Sequence, residues 1–580
     1  MKDFKQLKRL LKVDTSTMPL MKVALLGDTA TQLLSIAIKA TAIERGYSID
    51  LFEADFNQVE RQLLDTSSEL YKSNPDIIII FQSTHKLAEL HSMMDQQQQT
   101  SIAEERAAFI ENICNSQHLA DKKIICINYP EIDDTVFGSY ANKVAQSLTW
   151  QVRRLNCRLM ELSSIYPQLY ICDLGAIQNK IGRDNMFAPN IYTSTEMILT
   201  VDVLPIVAAR IIDIISALRG QIKKCIILDL DNTLWGGVIG DDGIEGIELG
   251  HGLGIGKAFT EFQMWIRKLR QRGIIICVAS KNDENVAKQP FMNHPDMVLT
   301  LDDIAVFMAN WETKVDNIRN IQNILNIGFD SMVFIDDNPF ERNIVRENIP
   351  GITVPEMPDD PAEYLEFLYG LNLFETASYS NADNDRTRQY QEEAKRVKMK
   401  TTFTNEDDFL RSLNMTSIVS GFNKFNIPRV AQLTQRSNQF NLRTVRYTED
   451  EITRLANDSK VVNLAFTLKD RFGDNGLIAV VIMLPMDDEA LFVDTWIMSC
   501  RVLKRGMENF TLNMMVKKTM ELGYKRIVGE YLPTRKNSMV ANHYEQLGFK
   551  KIPQDETNRY YLDVDDYKPS QNCWINESYS

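Results

Sequence analysis

The chain has no CxxC pair, no apolar run long enough to cross a bilayer and no dense basic stretch, and each absence removes a class of function. Its eight cysteines fall at irregular spacing, which argues against a structural zinc site built on paired thiolates. Several lie in apolar strand-like runs such as KIICINY and IIICVAS, where cysteine serves as a small buried hydrophobe. No segment reaches the ~20 apolar residues of a membrane-crossing helix. The opening MKDFKQLKRLLKVD is basic and amphipathic but lacks the apolar core of a secretory leader. A cytoplasmic setting without a membrane partner is therefore expected. The formal net charge is −14 with basic residues dispersed, so the surface repels nucleic acid. A small phosphorylated substrate needs only a local positive site and survives these exclusions.

What is present points to several α/β domains. The 580 residues exceed what one core organises. Short apolar runs (MKVALLGD, YSIDLFEAD, DIIIIFQS, KKIICINYP, LYICDLGAI) alternate with helix-length segments, the pattern of a parallel sheet covered on both faces. This first domain is assigned to residues 1–220. A second alternating unit, 221–365, runs through KKCIILDLDNTLWGG, the helix KAFTEFQMWIRKLRQRG, IIICVASKN, the helix VDNIRNIQNILNIG and SMVFIDDNP. Residues 366–400 turn polar and read as a solvated linking helix. Residues 401–580 hold long strands joined by hairpin-type turns at GDNG and PMDDEA, suggesting an antiparallel α+β sheet.

The chemistry concentrates in the second domain. An apolar strand delivers Asp229 and Asp231, spaced i and i+2, where the strand ends, and sites in open α/β sheets form at such ends. A second strand ends in Ser280-Lys281-Asn282, a third in Asp336-Asp337, and Lys314 opens a helix between them. Clustered carboxylates need a hard divalent cation, and Mg²⁺ favours oxygen ligands. The cation and Lys314 together neutralise a phosphoryl group so that a carboxylate can attack it. A second acid protonates the leaving oxygen and then deprotonates water. The following WGGVIGDDGIEGIELGHGLGIG contains nine glycines and is too small for a cap domain. It is expected to form a flap, with a structural hairpin as the alternative.

The set Asp229-Asp231-Thr233, Ser280, Lys314 and Asp336-Asp337 resembles the haloacid dehalogenase (HAD) superfamily. The resemblance implies Asp229 as nucleophile and metal ligand, Asp231 as acid/base and carbonyl ligand, and Asp336 with Asp337 completing the Mg²⁺ site. Thr233, Ser280, Asn282 and Lys314 would hold the phosphoryl group. The wording LDLDNTLWGGVIGDDG, VASKND, NWETK, LNIGFDSMVFIDDNPFER and VPEMPDDP, continued in RVAQLTQRSNQFNLRTVRYTEDE and DRFGDNGLIAVV, is similar to the FkbH-type branch of HAD subfamily IIIC over roughly residues 20 to 550. That resemblance implies dephosphorylation coupled to transfer of a glyceryl-type acyl group from a phosphorylated three-carbon acid to a carrier-protein thiol. The alternative is a simple phosphatase whose C-terminal domain binds or regulates.

The C-terminal part resembles the GNAT acyltransferases. Arg501-Val502-Leu503-Lys504-Arg505-Gly506 stands where the family's pyrophosphate loop would be, with Lys504 in place of its first glycine. Such a loop offers backbone N–H groups to coenzyme A or a carrier's phosphopantetheine. Asn537 and Tyr544, ahead of Gly548-Phe549, match the pattern N-x6-Y-x3-GF, which implies Tyr544 as the acid for a leaving thiolate. Cys500, beside Arg501, Lys504 and Arg505, is the candidate acyl-carrying thiol, since neighbouring cations lower a thiol pKa. Cys225, on an apolar strand before the nucleophile, is read as packing. The first domain is weakly similar to SGNH hydrolases, with Gly27-Asp28-Thr29 where Gly-Asp-Ser would stand. It carries no Asp-x-x-His, so binding or scaffolding is expected of it rather than hydrolysis.

Overall fold

The apolar runs become strands wherever both faces of the pleat can be buried, and the chain sorts into two compact units, Met1–Ser216 and Ala217–Ser580. The computed structural model describes residues 2–379, 386–400, 402–487, 489–534, 536–552, 557–570 and 574–578. In the first unit β1 (Leu20–Gly27), β2 (Ser48–Glu53), β3 (Ile77–Phe81), β4 (Lys123–Ile127) and β5 (Leu169–Cys172) form a parallel sheet in the order β2-β1-β3-β4-β5. All five residues of β3 are buried. Ile78 and Ile80 pack with Ile102, Ala107, Leu155 and Leu159 of the long helices Gln96–Cys114 and Leu148–Ile165. A continuous β-branched run is what a strand covered on both faces requires.

The second unit opens with β6 (Cys225–Leu228), β7 (Ile275–Ser280), β8 (Ile304–Ala309) and β9 (Met332–Ile335), parallel in the order β8-β7-β6-β9. The expected strands are β6, β7 and β9, while β8 was not anticipated. Its Phe307 and Met308 are only partly buried and no Gly or Pro brackets it, so it lacks the signals of a strand. Side chains alternate between two helical covers. Ile226, Leu228 and Val278 meet Phe262 and Ile266 of the helix Gly256–Gln271, whereas Cys225, Ile227 and Cys277 meet Ile318 and Ile321 of the helix Lys314–Leu325. The Cys225 and Cys277 sulfurs lie 3.9 Å apart within that layer. The glycine-rich insert is a hairpin pinned at its base. Gly236 N–H donates to Glu248 O at 3.1 Å and Glu248 N–H returns the bond at 2.9 Å. At its tip a short helical segment, Ile239–Gly246, breaks at Gly243, whose φ of 70° suits glycine.

Beyond it an eight-stranded sheet comprises β10 (Met415–Ser420), β11 (Val462–Asp470), β12 (Gly473–Pro485), β13 (Ala490–Met498), β14 (Arg526–Glu530), β15 (Lys550–Lys551), β16 (Arg559–Asp563) and β17 (Ile575–Ser578). Its order is β15-β16-β14-β13-β12-β11-β10-β17. Two pairs depart from the antiparallel expectation, β13–β14 and β10–β17, which are parallel. The GDNG turn is also displaced. Asp470 pairs with Gly473, so the loop is Arg471-Phe472 and GDNG lies within β12. The Asp470 carboxylate makes this turn by accepting from Phe472 N–H at 2.8 Å and Gly473 N–H at 3.2 Å.

The expected solvated linker is corrected by the helix Arg386–Lys400, which buries Thr387, Gln389, Tyr390 and Arg396. Tyr390 packs under the β6–β9 sheet, and Gln391 Nε2 donates to Ile304 O at 2.9 Å. At its other end Arg396 forms a bidentate pair with Asp470, Nε to Oδ2 at 2.7 Å and Nη2 to Oδ1 at 3.0 Å. Mean polarity hid this helix's role, because its buried Arg396 is satisfied by charge pairing rather than by apolar contact. Arg396→Met is therefore expected to cost about 3 kcal/mol in urea unfolding, chiefly by leaving Asp470 and Glu393 undercompensated in a buried site.

Candidate active site

The carboxyl ends of β6 and β9 adjoin, and the ladder continues one step past them through Asp229 N–H to Ile335 O at 3.0 Å. Beyond that bond the chain leaves the sheet. Asn232 takes a left-handed conformation, φ 54°, which asparagine tolerates, and its Oδ1 accepts from Gly237 N–H at 3.0 Å. On the β9 side Asn338 caps the helix Pro339–Asn348 through Phe340 N–H. Arg342 Nη1 fixes the intervening turn by donating to the carbonyls of Asp336 at 2.9 Å and Asp337 at 2.6 Å.

Lys314 enters from the first turn of its helix, which Thr313 caps through Asp316 N–H. Its ammonium is 2.5 Å from Asp229 Oδ1 and 3.2 Å from Asp336 Oδ2, and it donates to Ala279 O at 2.8 Å. One carboxylate oxygen from each of Asp229, Asp336 and Asp337 lies within 4.8 Å of the others. Three carboxylates against one lysine leave the pocket short of positive charge. Among the described residues, Asp229 Oδ1 and Asp336 Oδ2 are buried and take no donor beyond that ammonium. An all-oxygen donor set with excess negative charge fits a hard divalent cation.

The electrostatics carry the same imprint. Burial first, and the Asp229 charge second, push the Asp336 carboxyl up to about 7. Burial and Asp229 likewise raise Asp337, and burial raises Asp231. Burial acts against the Lys314 ammonium, but Asp229 and Asp336 outweigh it and the net direction is upward. A carboxyl raised from its ordinary 3.8 contributes stability below that value and loses it as pH climbs through about 7. Chelator-treated protein is thus expected to melt several degrees lower at pH 8 than at pH 6, and added Mg²⁺ to narrow the gap. Scanning calorimetry at the two pH values checks this.

Asp231 is held by three donors: Trp235 Nε1 at 2.9 Å and Ile239 N–H at 3.0 Å on Oδ1, and Asn282 Nδ2 at 3.0 Å on Oδ2. The glycine-rich hairpin thereby reaches the acid/base candidate directly. Trp235 was missed at the sequence level, although its position four residues after Asp231 places it on the same turn. Two of the residues expected to bind phosphate contact carboxylate residues of the cluster. The Asn282 amide serves Asp231, and Thr233 Oγ1 accepts from Asp337 N–H at 3.2 Å and lies 3.4 Å from Asp337 Oδ1. Ser280 ends β7 buried, its carbonyl accepting from Asn310 N–H at 3.2 Å.

The C-terminal candidates do not assemble comparably. The Cys500 side chain lies outside the described residues. Arg505 is buried and spends its guanidinium on Glu393, Arg501 O and, at 3.3 Å, Asp470. Arg501 is buried over the Tyr390 ring, with Nε on Ser499 Oγ at 3.3 Å, and burial pulls its pKa down. Both arginine side chains therefore face the helix Arg386–Lys400. Gly506, φ 81°, starts the helix Met507–Glu521, and Lys504 is exposed with its N–H on Glu508 Oε1 at 3.0 Å. Asn537 is fully buried. Its amide donates to Asn441 O and Leu532 O at 2.9 Å, and its Oδ1 accepts from Thr534 N–H at 2.7 Å, so it braces a loop rather than facing a ligand. Tyr544 lies flat over β14, where a Cβ on Gly529 would stand 2.2 Å from its ring. Burial raises its phenol pKa.

The family described as "FkbH, N-terminal domain" matches residues 22–216. No curated protein matches. Among solved structures, the N-terminal part of BF1531 from Bacteroides fragilis, described as containing a phosphatase domain complexed with Mg, is 59% identical. That alignment covers 65% of this chain and 100% of that one, with a TM-score of 0.64. The ribosomal-protein-S18-alanine N-acetyltransferase from Escherichia coli is 14% identical, with 26% of this chain and 94% of that one covered and a TM-score of 0.20. Ard1 from Thermoplasma volcanium is likewise 14% identical, at 26% and 98% coverage and a TM-score of 0.21. The two acetyltransferase likenesses are too slight to carry an argument. With 59% identity along the whole Bacteroides chain and the FkbH match beside it, this chain belongs to the FkbH family.

Proposed function

We propose that the chain is a Mg²⁺-dependent phosphotransferase of the HAD type, subfamily IIIC, acting on a phosphorylated three-carbon acid and passing its acyl group to a carrier-protein thiol. The observation that carries the phosphoryl half is the Lys314 ammonium bridging Asp229 and Asp336 at 2.5 and 3.2 Å, with Asp337 alongside. Asp229, Asp336 and Asp337 would hold Mg²⁺, which when bound supplies charge neutralisation and Lewis acidity for the phosphoryl oxygens. A carboxylate oxygen of Asp229 attacks phosphorus while the P–O bond to the leaving group breaks, and Asp231 gives that oxygen its proton. Water then loses a proton to Asp231 and attacks the aspartyl phosphate, whose P–O bond to Asp229 breaks to release inorganic phosphate. Trp235, Ile239 N–H and Asn282 hold Asp231 in place for both transfers.

In this reading the acid is also an acyl phosphate: the Cys500 thiolate attacks its acyl carbon while the C–O bond to that phosphate breaks and inorganic phosphate leaves. The thiolate of the carrier's phosphopantetheine or of coenzyme A then attacks the same carbon, the C–S bond to Cys500 breaks, and Tyr544 protonates the departing thiolate. The SGNH-like first domain binds rather than hydrolyses. A second reading, a simple phosphatase with a C-terminal domain that only binds or regulates, is favoured by one observation. Arg505 and Asn537 are both occupied by partners within the chain. Mass spectrometry of enzyme and carrier after incubation with Mg²⁺ and phosphorylated three-carbon acids separates the two. An acyl adduct on the carrier, lost in Cys500→Ser, supports transfer. Full-rate phosphate release with no adduct supports the simple phosphatase.

A further inference from the structure

The first unit has its own cavity, of about 260 Å³, lined among others by Asp28, Gln82, Ser83, Lys86, Arg106 and Tyr129. Asp28 follows β1, Gln82 and Ser83 follow β3, and Tyr129 comes two residues after β4. The cavity therefore lies at the carboxyl ends of the strands. In the order β2-β1-β3-β4-β5 the direction of winding reverses between β1 and β3, the place where open α/β sheets leave a crevice for a ligand.

Its polar groups are only half spent. Asp28 Oδ2 accepts from Ser83 N–H at 2.8 Å, and Tyr129 OH donates to Gln82 Oε1 at 3.3 Å. Arg106 Nη1 donates to Glu60 at 2.9 Å, and Lys86 lies 3.3 Å from Glu89 and 3.5 Å from Glu196. Among the described residues, however, Asp28 Oδ1 and Arg106 Nε are buried without a hydrogen-bond partner. An acceptor and a cationic donor left unsatisfied around one cavity each lose the solvation they had in water. A bound molecule that offers one donor and one anionic acceptor restores both.

We infer that this cavity is a binding site for a small carboxylic acid bearing a hydroxyl group, with the carboxylate accepting from Arg106 Nε–H beside Lys86 and the hydroxyl donating to Asp28 Oδ1. Burial pushes the Asp28 carboxyl up to about 7, so near neutrality it suits a neutral hydroxyl better than an ammonium group. The volume holds a molecule smaller than drug-sized ligands. Binding is reversible and forms no covalent bond. The site belongs to the first unit and does not rest on the reaction assigned to the second.

Calorimetric titration of the full chain with lactate, acetate and glycerol tests it. Lactate has both groups, acetate only the carboxylate, glycerol only hydroxyls. Lactate is expected to bind at least about tenfold more tightly than either, and Asp28→Asn and Arg106→Met each to weaken it about tenfold or more. Asp28→Asn removes a buried carboxyl and keeps the fold, so it remains informative should Arg106→Met unfold. No lactate binding, lactate no tighter than acetate or glycerol, or unchanged affinity in Asp28→Asn would overturn the inference.

Discussion

Asp229→Asn is expected to lower phosphate release about 10³-fold or more while leaving the melting temperature unchanged or raised. The kinetic loss follows because an amide oxygen cannot form the aspartyl phosphate, and removal of a covalent nucleophile is among the costliest changes an enzyme suffers. The stability gain follows from the same geometry. Asp229, Asp336 and Asp337 bring oxygens within 4.8 Å of one another, and Asp229 is a principal cause of the raised Asp336 and Asp337 carboxyls. Neutralising it relieves repulsion when no cation is bound. A phosphate-release assay and a melting curve on the same preparation measure both. Near-wild-type turnover would remove Asp229 from the chemistry whatever the melting curve shows.

Lys314→Met should abolish turnover and, unlike Asp229→Asn, destabilise the fold. The lysine is 2% exposed and is the cation that faces Asp229 and Asp336 together. Taking away one partner of a buried ion pair leaves charge uncompensated, which costs about 3–5 kcal/mol. Methionine keeps most of the side-chain volume, so the loss reports charge rather than a cavity. Saturating Mg²⁺ should recover part of the stability, because a cation bound by the folded state alone stabilises it by mass action. It should not recover turnover if Lys314 also steadies the phosphoryl group. Denaturant unfolding with and without Mg²⁺, set beside initial rates, distinguishes these outcomes, and an unaltered unfolding midpoint without Mg²⁺ would contradict the pairing.

The acidic cluster was legible because strand ends are punctuated in the sequence. IILDLD, CVASKN and VFIDDN each pass from buried apolar residues to polar ones within a single step, and a parallel sheet brings such steps to one edge. Asp229, Asp336 and Asp337 follow from that rule alone. The roles of Thr233 and Asn282 did not, since whether a hydroxyl or amide meets a ligand or a neighbouring carboxylate depends on approaches of about 3 Å that no spacing encodes. Trp235 escaped notice because an indole reads as core, and here it is buried while its N–H serves Asp231.

By itself the sequence determined the alternation of strands and helices, the acidic strand tips and the lysine between them, since these depend on local periodicity and on what must be buried. Tertiary structure alone decided that the polar segment 386–400 is a packed strut. There Arg396 and Arg505 meet Asp470 from more than thirty positions away. The physical reason is that a charge is judged by its partner, and partners distant in sequence become neighbours only once the sheets have folded.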